Sequence, residues 1–275
     1  MKRRKTTQMV MVGLLALSTF IICGALAAIM WQVLSKGMPV ISADFLLKPT
    51  TNSGRSGGIF SSIVGTFYVT AVSLLVSVPL GVGAAVYLTE YASEGWLVEW
   101  IRFAVSSLAG IPSIVFGLFG FTFFVIQMRM GWSVLSGGLT MGLMILPWLV
   151  RIAEEAIKAV PCEYLEGSLA LGAPRWKAVF GLVVPAAYPG ILSGILLGIG
   201  RAFGETAALI LTAGSAYHTP TSIWHPARTM AVHLYILSSE GLSLERAYGT
   251  AAVLSASILA INALASRLTR AIRTR

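Results

Sequence analysis

The chain has 275 residues, of which 56% are hydrophobic and 11% are charged, and its mean hydropathy is +0.80. This composition excludes an ordinary soluble globular protein, in which about a quarter of the residues are charged. The formal net charge of +9 does not indicate nucleic-acid binding, because no soluble basic domain carries it and the charges lie at the edges of apolar segments.

Six apolar segments are long enough to cross a bilayer, which requires a helix of about 20 residues. They cover residues 9–34, 61–88, 103–127, 133–150, 186–213 and 248–267. The predicted fold is therefore all-α, that of a polytopic membrane protein with six transmembrane helices. An even number of spans places both termini on one side of the membrane.

Lysine and arginine are distributed unequally between the two sides. Thirteen of the 20 lie on the side of the termini and six on the opposite side, while Arg201 lies within a span. Because the side rich in these residues is cytoplasmic, we predict cytoplasmic N and C termini. We divide the chain into a first span with an outer loop (1–58), a five-helix transmembrane domain (59–268) and a basic cytoplasmic tail (269–275).

The first span follows a basic N terminus, and Ala25-Leu26-Ala27 matches the cleavage pattern of a signal peptide. The apolar run continues to Val33, well beyond the roughly 7–15 apolar residues of a signal peptide. We therefore predict a retained span. The outer loop that follows, residues 37–58, is rich in Ser, Thr, Gly and Pro, which favours turns over packed structure.

The second, third and fourth spans contain Pro79, Pro112 and Pro147, respectively. Proline removes a backbone hydrogen bond and clashes with the preceding turn, so each predicts a break in the hydrogen-bond ladder of its helix. The breaks are either ordinary kinks or points of bending along a pathway.

Residues 151–185 form a cytoplasmic segment that is long for a connection between helices, typically about 2–8 residues. Pro161 can occupy the first turn of a helix, Gly172 can end it in a left-handed conformation, and Pro174 can start another. We predict two short helices joined by a tight turn. The charged side chains of this hairpin are Glu163, Glu166, Arg175 and Lys177.

A motif within the hairpin resembles the EAA loop of bacterial ABC importer permeases, E-A-A, three residues, G, nine residues, I-x-L-P. Here the motif is Glu166-Gly167-Ser168, then Gly172, then Leu182-Val183-Val184-Pro185, with the spacing intact and Gly167 and Ser168 in place of the alanines. In that family the loop docks on a separate ATPase subunit. The resemblance implies an ATPase-coupling role for Glu163, Glu166, Gly167, Ser168, Gly172, Pro174, Arg175 and Pro185.

The span after the hairpin carries small and charged residues on one face. At about 100° per residue, this face holds Gly190, Gly194, Gly198, Arg201 and Glu205. Small residues at every fourth position allow close helix packing, so the face should not meet lipid. Glu205 can neutralise Arg201 at i, i+4 spacing. The ion pair either sets helix register or forms a functional site, since a guanidinium suits an oxyanion such as phosphate.

The string GRAFGETAA, residues 200–208, closely resembles the R-A-x-G-E-T-A segment of permeases of phosphate-specific ABC transporters. Residues 110–118 and 209–214 resemble the PstA-type permeases among them, although Ala208 stands where proline is common in that type. The resemblance covers about residues 37–268. It implies a type I ABC importer permease fold, with Arg201, Glu205 and Thr206 in the phosphate pathway.

The resemblance also implies a cellular context, that of a multi-pass protein of the bacterial inner membrane. Its partners would be a second permease in a heterodimer, two copies of an ATPase subunit and an extracytoplasmic phosphate-binding protein. No P-loop pattern occurs in the chain, so ATP and magnesium would bind the ATPase and no cofactor is expected here. With only Cys23 and Cys162, no disulfide framework or metal site is predicted either.

The last outer segment, residues 212–246, contains all three histidines, His218, His225 and His233. Their spacing does not match a zinc site, so we expect solvated surface side chains. Residues 228–237 are apolar enough for a short helix on the outer face.

Other functions fit the residues less well. A permease of the same fold for another oxyanion, or the sister phosphate permease, shares most of these features. An intramembrane enzyme needs a nucleophile and a base within the spans, but no span contains a histidine and no G-x-S-x-G or H-E-x-x-H pattern occurs. An ion-coupled carrier usually has internal repeats, which this chain lacks. No catalytic residue is predicted.

Overall fold

The apolar segments form long helices in the computed structural model, which describes the backbone of residues 2–273 and the side chains of residues 8–9 and 11–267. The helices are α1 (Lys2–Gly37), α2 (Ala43–Leu47), α3 (Phe60–Val86), α4 (Trp96–Ala109), α5 (Ser113–Gly120), α6 (Val134–Lys158), α7 (Glu163–Ala170), α8 (Arg175–Ala178), α9 (Val184–Gly204), α10 (Ala207–Thr212), α11 (Met230–Ser239) and α12 (Leu244–Arg273). Wider π-helical turns extend α3 to Tyr91 and α5 to Gln127 and join α8 to α9. Of the predicted tail, residues 269–273 continue α12 and residues 274–275 lie outside the described residues.

Five helices of the described chain are long and apolar enough to cross a membrane. They are Met11–Val40, Phe60–Tyr91, Val134–Lys158, Arg175–Gly204 and Leu244–Arg267. They correspond to five of the six predicted spans. One of them begins inside the predicted hairpin, at Arg175, and runs through Pro185 without interruption.

The predicted third span, residues 103–127, is not one straight helix. It is divided between α4 and the extended α5, which are bent by 99° at Gly110-Ile111-Pro112. Pro112 has extended backbone angles (φ −58°, ψ 142°) and no N–H to donate, and the residue before a proline disfavours the helical region. If the bent pair counts as one span, the total is the predicted six.

The other two prolines do not end their helices. Pro79 lies inside α3 and Pro147 inside α6, and both helices continue past them. Thus only Pro112 divides a span completely.

The core lies where α3, α6 and α9 pack together. Its fully buried side chains include Val69 of α3 and Met141, Ile145 and Leu149 of α6. Small residues bring α3 and α6 close, since a Cβ on Gly142 would lie 3.1 Å from the carbonyl oxygen of Ser73. Close approach of this kind is the usual way in which helices associate in membranes.

Residues 37–58 and 213–243 lie together at one end of the bundle, which we call the loop end. The first segment is more ordered than predicted, because it holds α2 and an antiparallel pair of two-residue strands, β1 (Thr50–Thr51) and β2 (Ser56–Gly57). Phe45 and Thr50 are each only 4% exposed. The fold is therefore helical apart from this small strand pair.

The second loop-end segment contains α11, which confirms the predicted short helix with a shift of two residues. His218 and His225 are exposed, as expected. The expectation is wrong for His233, which lies on α11 and is 1% exposed. Its burial follows from packing of α11 against the first outer segment, where a Cβ on Gly54 would lie 2.9 Å from the His233 ring.

The opposite end, called here the hairpin end, carries residues 87–95 and 159–174. An ion cluster ties α4 to α6 there: Glu154 Oε1 accepts hydrogen bonds from Arg102 Nε at 2.8 Å and Lys158 Nζ at 2.7 Å. Arg102 also donates to the carbonyl of Leu88. These contacts hold α4 against the bundle despite the bend that separates it from α5.

Candidate functional site

The glycine face of α9 packs directly on α6. A Cβ on Gly190 would lie 2.7 Å from the Cβ of Ala156, and one on Gly194 would lie 2.5 Å from Cγ2 of Ile152. Gly198 lies one turn further along, against Trp148. The predicted close packing along this face is confirmed, and it fixes the position of the charged residues that follow.

Arg201 occupies the last turn of α9, beside two residues that anchor it. Ala202 and Phe203 are 3% and 1% exposed, and the Phe203 ring meets Phe67 of α3 edge-on with centroids 5.5 Å apart. Arg201 itself is exposed on the surface of the single chain, and it forms no hydrogen bond or ion pair with the side chains that the structure describes. The end of α9 is thus held in place by buried neighbours, while the Arg201 guanidinium remains exposed and unpaired.

The predicted ion pair between Arg201 and Glu205 is wrong. Helix α9 ends at Gly204, and Glu205 has extended backbone angles (φ −73°, ψ 131°), so the i, i+4 geometry of a helix does not apply. The Glu205 carboxylate instead turns forward, where Oε1 accepts a hydrogen bond from the backbone N–H of Ala208 at 3.1 Å. Among the described residues, no ion pair joins the two side chains.

The predicted fifth span, residues 186–213, is therefore interrupted at Glu205 and Thr206. Thr206 has non-helical angles (φ −122°, ψ −53°), and its carbonyl accepts from Ile210 as α10 begins. Gly204 is a poor helix former, and the carboxylate of Glu205 satisfies an N–H that the break would leave without a partner. The sequence signal for this break is a glycine followed by an acidic residue able to cap the next turn.

The hairpin has the predicted form of two helices joined by a tight turn. Gly172 has φ +83°, in the left-handed region, and Ala173 donates from its N–H to the carbonyl of Ser168 at 3.2 Å. Pro174 then precedes α8 in an extended conformation. Pro161 lies two residues before α7 rather than in its first turn, although its carbonyl accepts from Tyr164.

The surface of the hairpin combines charge with exposed apolar side chains. Glu163, Glu166 and Arg175 are exposed, and the Arg175 guanidinium lies 5.8 Å from the centroid of the Tyr91 ring. Gly167 is also exposed, with open space where a Cβ would project. The sequence analysis did not predict the exposed apolar members, which include Tyr164, Leu171 and Trp176, exposed by 53%, 91% and 61%. Such a patch at the tip of an ordered hairpin is typical of a protein interface.

The hairpin and Arg201 do not come together in one site, since they lie at different levels of the bundle. They are connected mechanically, because Arg175 at the hairpin and Arg201 belong to the same continuous helical segment, Arg175–Gly204. No group of three or more His, Cys, Asp or Glu side chains that could hold a metal ion occurs within the described residues.

The chain is similar to known membrane transport proteins. Residues 77–275 match the family model described as binding-protein-dependent transport system inner membrane component. The chain is 34% identical to the probable ABC transporter permease protein YqgI of Bacillus subtilis, over 96% of this chain and 95% of that protein. It is 33% identical to the phosphate transport system permease protein PstA 1 of Mycobacterium tuberculosis, over 90% of this chain and 83% of that one.

The fold has the same relatives. A crystal structure of a bacterial alginate ABC transporter, in complex with an alginate-bound periplasmic protein, superposes with a TM-score of 0.71 at 17% identity. The alignment covers 96% of this chain and 94% of that one. At this identity the likeness concerns the fold alone.

Proposed function

Because the chain belongs to the family of binding-protein-dependent transport system inner membrane components, we propose that it is a permease subunit of an ATP-driven phosphate importer in the bacterial inner membrane. It is a multi-pass transporter subunit rather than an enzyme. An ATPase and an extracytoplasmic binding protein are the partners that the family implies. The PstA relatives support phosphate as the substrate.

The observation that carries the proposal is the unpaired, exposed guanidinium of Arg201 in the last turn of an apolar helix. A charged side chain in a span is costly and marks a functional site by default. A guanidinium offers a planar fork of donors that matches phosphate oxygens. Arg201 attracts phosphate transiently. The carboxylate of Glu205, just beyond the helix end, repels the anion and so limits how long it stays, and the hydroxyl of Thr206 lines the same pathway.

The exposure of Arg201 also supports a pathway shared between two permeases. An arginine that faces hydrocarbon costs about 2.5–3.5 kcal/mol on insertion scales. The surface around Arg201 is therefore more stable when another protein subunit and water cover it than when lipid does. The second permease, in a heterodimer, supplies the other half of the pathway. Phosphate passes between the subunits without chemical change.

The hairpin couples this pathway to ATP hydrolysis. Its exposed apolar residues and carboxylates dock on the ATPase subunit, of which two copies serve the two permeases, and ATP and magnesium bind there. The residues in this role are Glu163, Glu166, Gly167, Ser168, Gly172, Pro174, Arg175 and Pro185. Because the helical segment Arg175–Gly204 is continuous, movement of the hairpin reaches Arg201 through a rigid element.

The test is phosphate uptake by the assembled transporter in cells that lack other phosphate importers. We expect Arg201→Ala to reduce uptake at least about tenfold, because transition-state stabilisation of the moving anion is lost, and Arg201→Lys to retain part of it. Arg129→Ala, at an exposed arginine outside the spans, is the matched control and should leave uptake unchanged.

Assembly is checked by co-purification of the ATPase subunit with each variant. Normal uptake by Arg201→Ala would contradict the role of this residue. Uptake that sulfate or molybdate suppresses more strongly than excess phosphate would instead identify a permease for another oxyanion.

A further inference from the structure

A cavity of about 640 Å³ opens at the loop end, beyond the break after Arg201. Its floor is formed by Ile210 and Leu211 of α10, which follow Glu205 by five and six residues. Phe121 and Trp132 stack to form one wall, with ring centroids 6.2 Å apart. The cavity therefore lies at the outward end of the same chain segment that carries the proposed phosphate pathway.

One cation lines this cavity. Arg228 is only 6% exposed, and its Nε and Nη1 donate to the carbonyls of Ser215 at 2.7 Å and Ser53 at 3.0 Å. Its Nη2 has no hydrogen-bond partner among the described residues, which leaves that donor available to a ligand. No carboxylate of the described chain forms an ion pair with it.

The charge of Arg228 is therefore buried without being neutralised. Desolvation lowers the pKa of Arg228 from its ordinary value, with smaller opposing effects from Glu240 and Tyr217; an arginine nevertheless stays protonated in proteins. Burying a charge without a counter-ion is unfavourable. A bound anion would remove that cost.

The backbone around Arg228 is shaped to keep the cavity open. Gly214 has φ +92°, a conformation that residues with side chains rarely adopt, and a Cβ there would lie 3.2 Å from that of Trp132. The Trp132 indole is in turn fixed by donating from Nε1 to the carbonyl of Leu211 at 3.1 Å. The Arg228 guanidinium is thus held in place by two backbone carbonyls, at the edge of a cavity whose Trp132 wall is itself fixed by a hydrogen bond.

We propose that this cavity is an oxyanion site in which Arg228 binds inorganic phosphate before the ion reaches Arg201. The inference rests on the proposed function for its ligand, but the site is a different one, at the loop end of the bundle. It gives the anion a first contact on the permease where a binding protein delivers it. An unpaired cation in a low-dielectric cleft attracts anions and so raises the local concentration of the anion.

The alternative role for Arg228 is purely structural, as a clamp between the two outer segments. The chain offers a matched control for that role, because Nη1 of Arg246 donates to the carbonyl of Gly57 in the same outer segment. Arg246 does not line the cavity. Arg246→Gln therefore removes a comparable clamp and one positive charge without altering the cavity wall.

The experiment measures the electrostatic potential in the cavity of the assembled transporter. Ser215, which is exposed and lines the cavity, is replaced by cysteine after Cys23 and Cys162 have been changed to alanine. The rates of reaction with an anionic and a cationic thiosulfonate of equal size are compared. We expect Arg228→Gln to lower the anionic-to-cationic rate ratio at least about threefold, while Arg228→Lys and Arg246→Gln leave it nearly unchanged.

Inorganic phosphate should slow the anionic reagent when Arg228 is present and lose that effect in Arg228→Gln, with sodium chloride at equal ionic strength as the control. An unchanged ratio in Arg228→Gln, or an equal fall in Arg246→Gln, would overturn the inference.

If phosphate is imported normally but does not slow labelling, this site is refuted and the proposed function stands. If sulfate protects and phosphate does not, the oxyanion site is supported and the phosphate assignment fails.

Discussion

His233 is a neutral imidazole enclosed at the loop end. Its Nδ1 has no hydrogen-bond partner within the described chain, and its ring lies against Gly54 of the first outer segment. Burial, followed by the positive charges of Arg228 and Arg246, lowers the pKa of His233 to about 4. Protonation of His233 would place a third cation beside two arginines. It is therefore unfavourable in the folded chain, and this imidazole makes the loop end sensitive to acid.

Acid should therefore destabilise the folded protein through His233. The pKa in the folded chain lies below the ordinary value of 6.5, so as the pH falls from about 6.5 towards 4 the unfolded chain binds the proton first and stability is lost. By pH 4.5 the loss amounts to about 2–3 kcal/mol. We expect the melting temperature of His233→Gln to fall less between pH 7.5 and 4.5 than that of the native protein.

The control is His218→Gln, which changes an exposed histidine of the same segment and should keep the native pH profile. Identical profiles for native protein and His233→Gln would show that this imidazole does not limit acid stability.

At the scale of helices, the glycine stripe of α9 is the element that sets its distance from α6. Overpacking a close helix contact costs about 1–3 kcal/mol, more than the gain of about 1 kcal/mol from the better helix propensity of alanine. Gly194→Ala should therefore lower the melting temperature of the solubilised protein. Gly83→Ala, at an exposed glycine of α3 with open space around its Cβ, should leave it unchanged or raise it.

The clash can be assigned to one atom, because the new Cβ would meet Cγ2 of Ile152. Leucine lacks that β-branched methyl group, so Ile152→Leu should restore part of the stability lost in Gly194→Ala. Absence of any coupling between the two substitutions would contradict this account of the α9–α6 contact.

Periodicity predicted the packing face of α9, because its residues are related by the regular geometry of one helix. The same geometry failed for Glu205, since the helix ends at Gly204 and the spacing of four residues no longer places the two side chains one above the other. The division of the third predicted span at Pro112 has a similar origin. A local proline signal was present, but whether it kinks or divides a helix depends on the packing of α4 against α6.

At the scale of the whole molecule, the two ends have different surfaces. The loop end is a folded cap held by arginines that donate to backbone carbonyls, whereas the hairpin end presents exposed apolar side chains. The continuous helical segment Arg175–Gly204 joins the hairpin to the region of Arg201. This arrangement agrees with the proposed function, in which the subunit receives phosphate at the loop end and force from the ATPase at the hairpin end.

Docking of the ATPase should depend on Leu171, which is 91% exposed at the tip of the hairpin. A buried apolar anchor at an interface typically contributes 1–2 kcal/mol or more, so we expect Leu171→Glu to weaken co-purification of the ATPase about tenfold or more. Leu244→Glu changes an exposed leucine at the loop end and should not affect it. Full retention of the ATPase by Leu171→Glu would place the docking surface elsewhere.

The approximate positions of five spans, the hairpin with its left-handed Gly172 and the close-packing face of α9 could be predicted from the sequence alone. Each of these depends on apolar length, helical period or turn chemistry, which neighbouring residues specify. Three features could be recognised only in the folded chain: the burial of His233, the separation of Arg201 from Glu205 and the cavity around Arg228. These depend on contacts between distant segments, such as that of Arg228 with Ser53, 175 residues away, and no local pattern encodes which distant group will desolvate a charge.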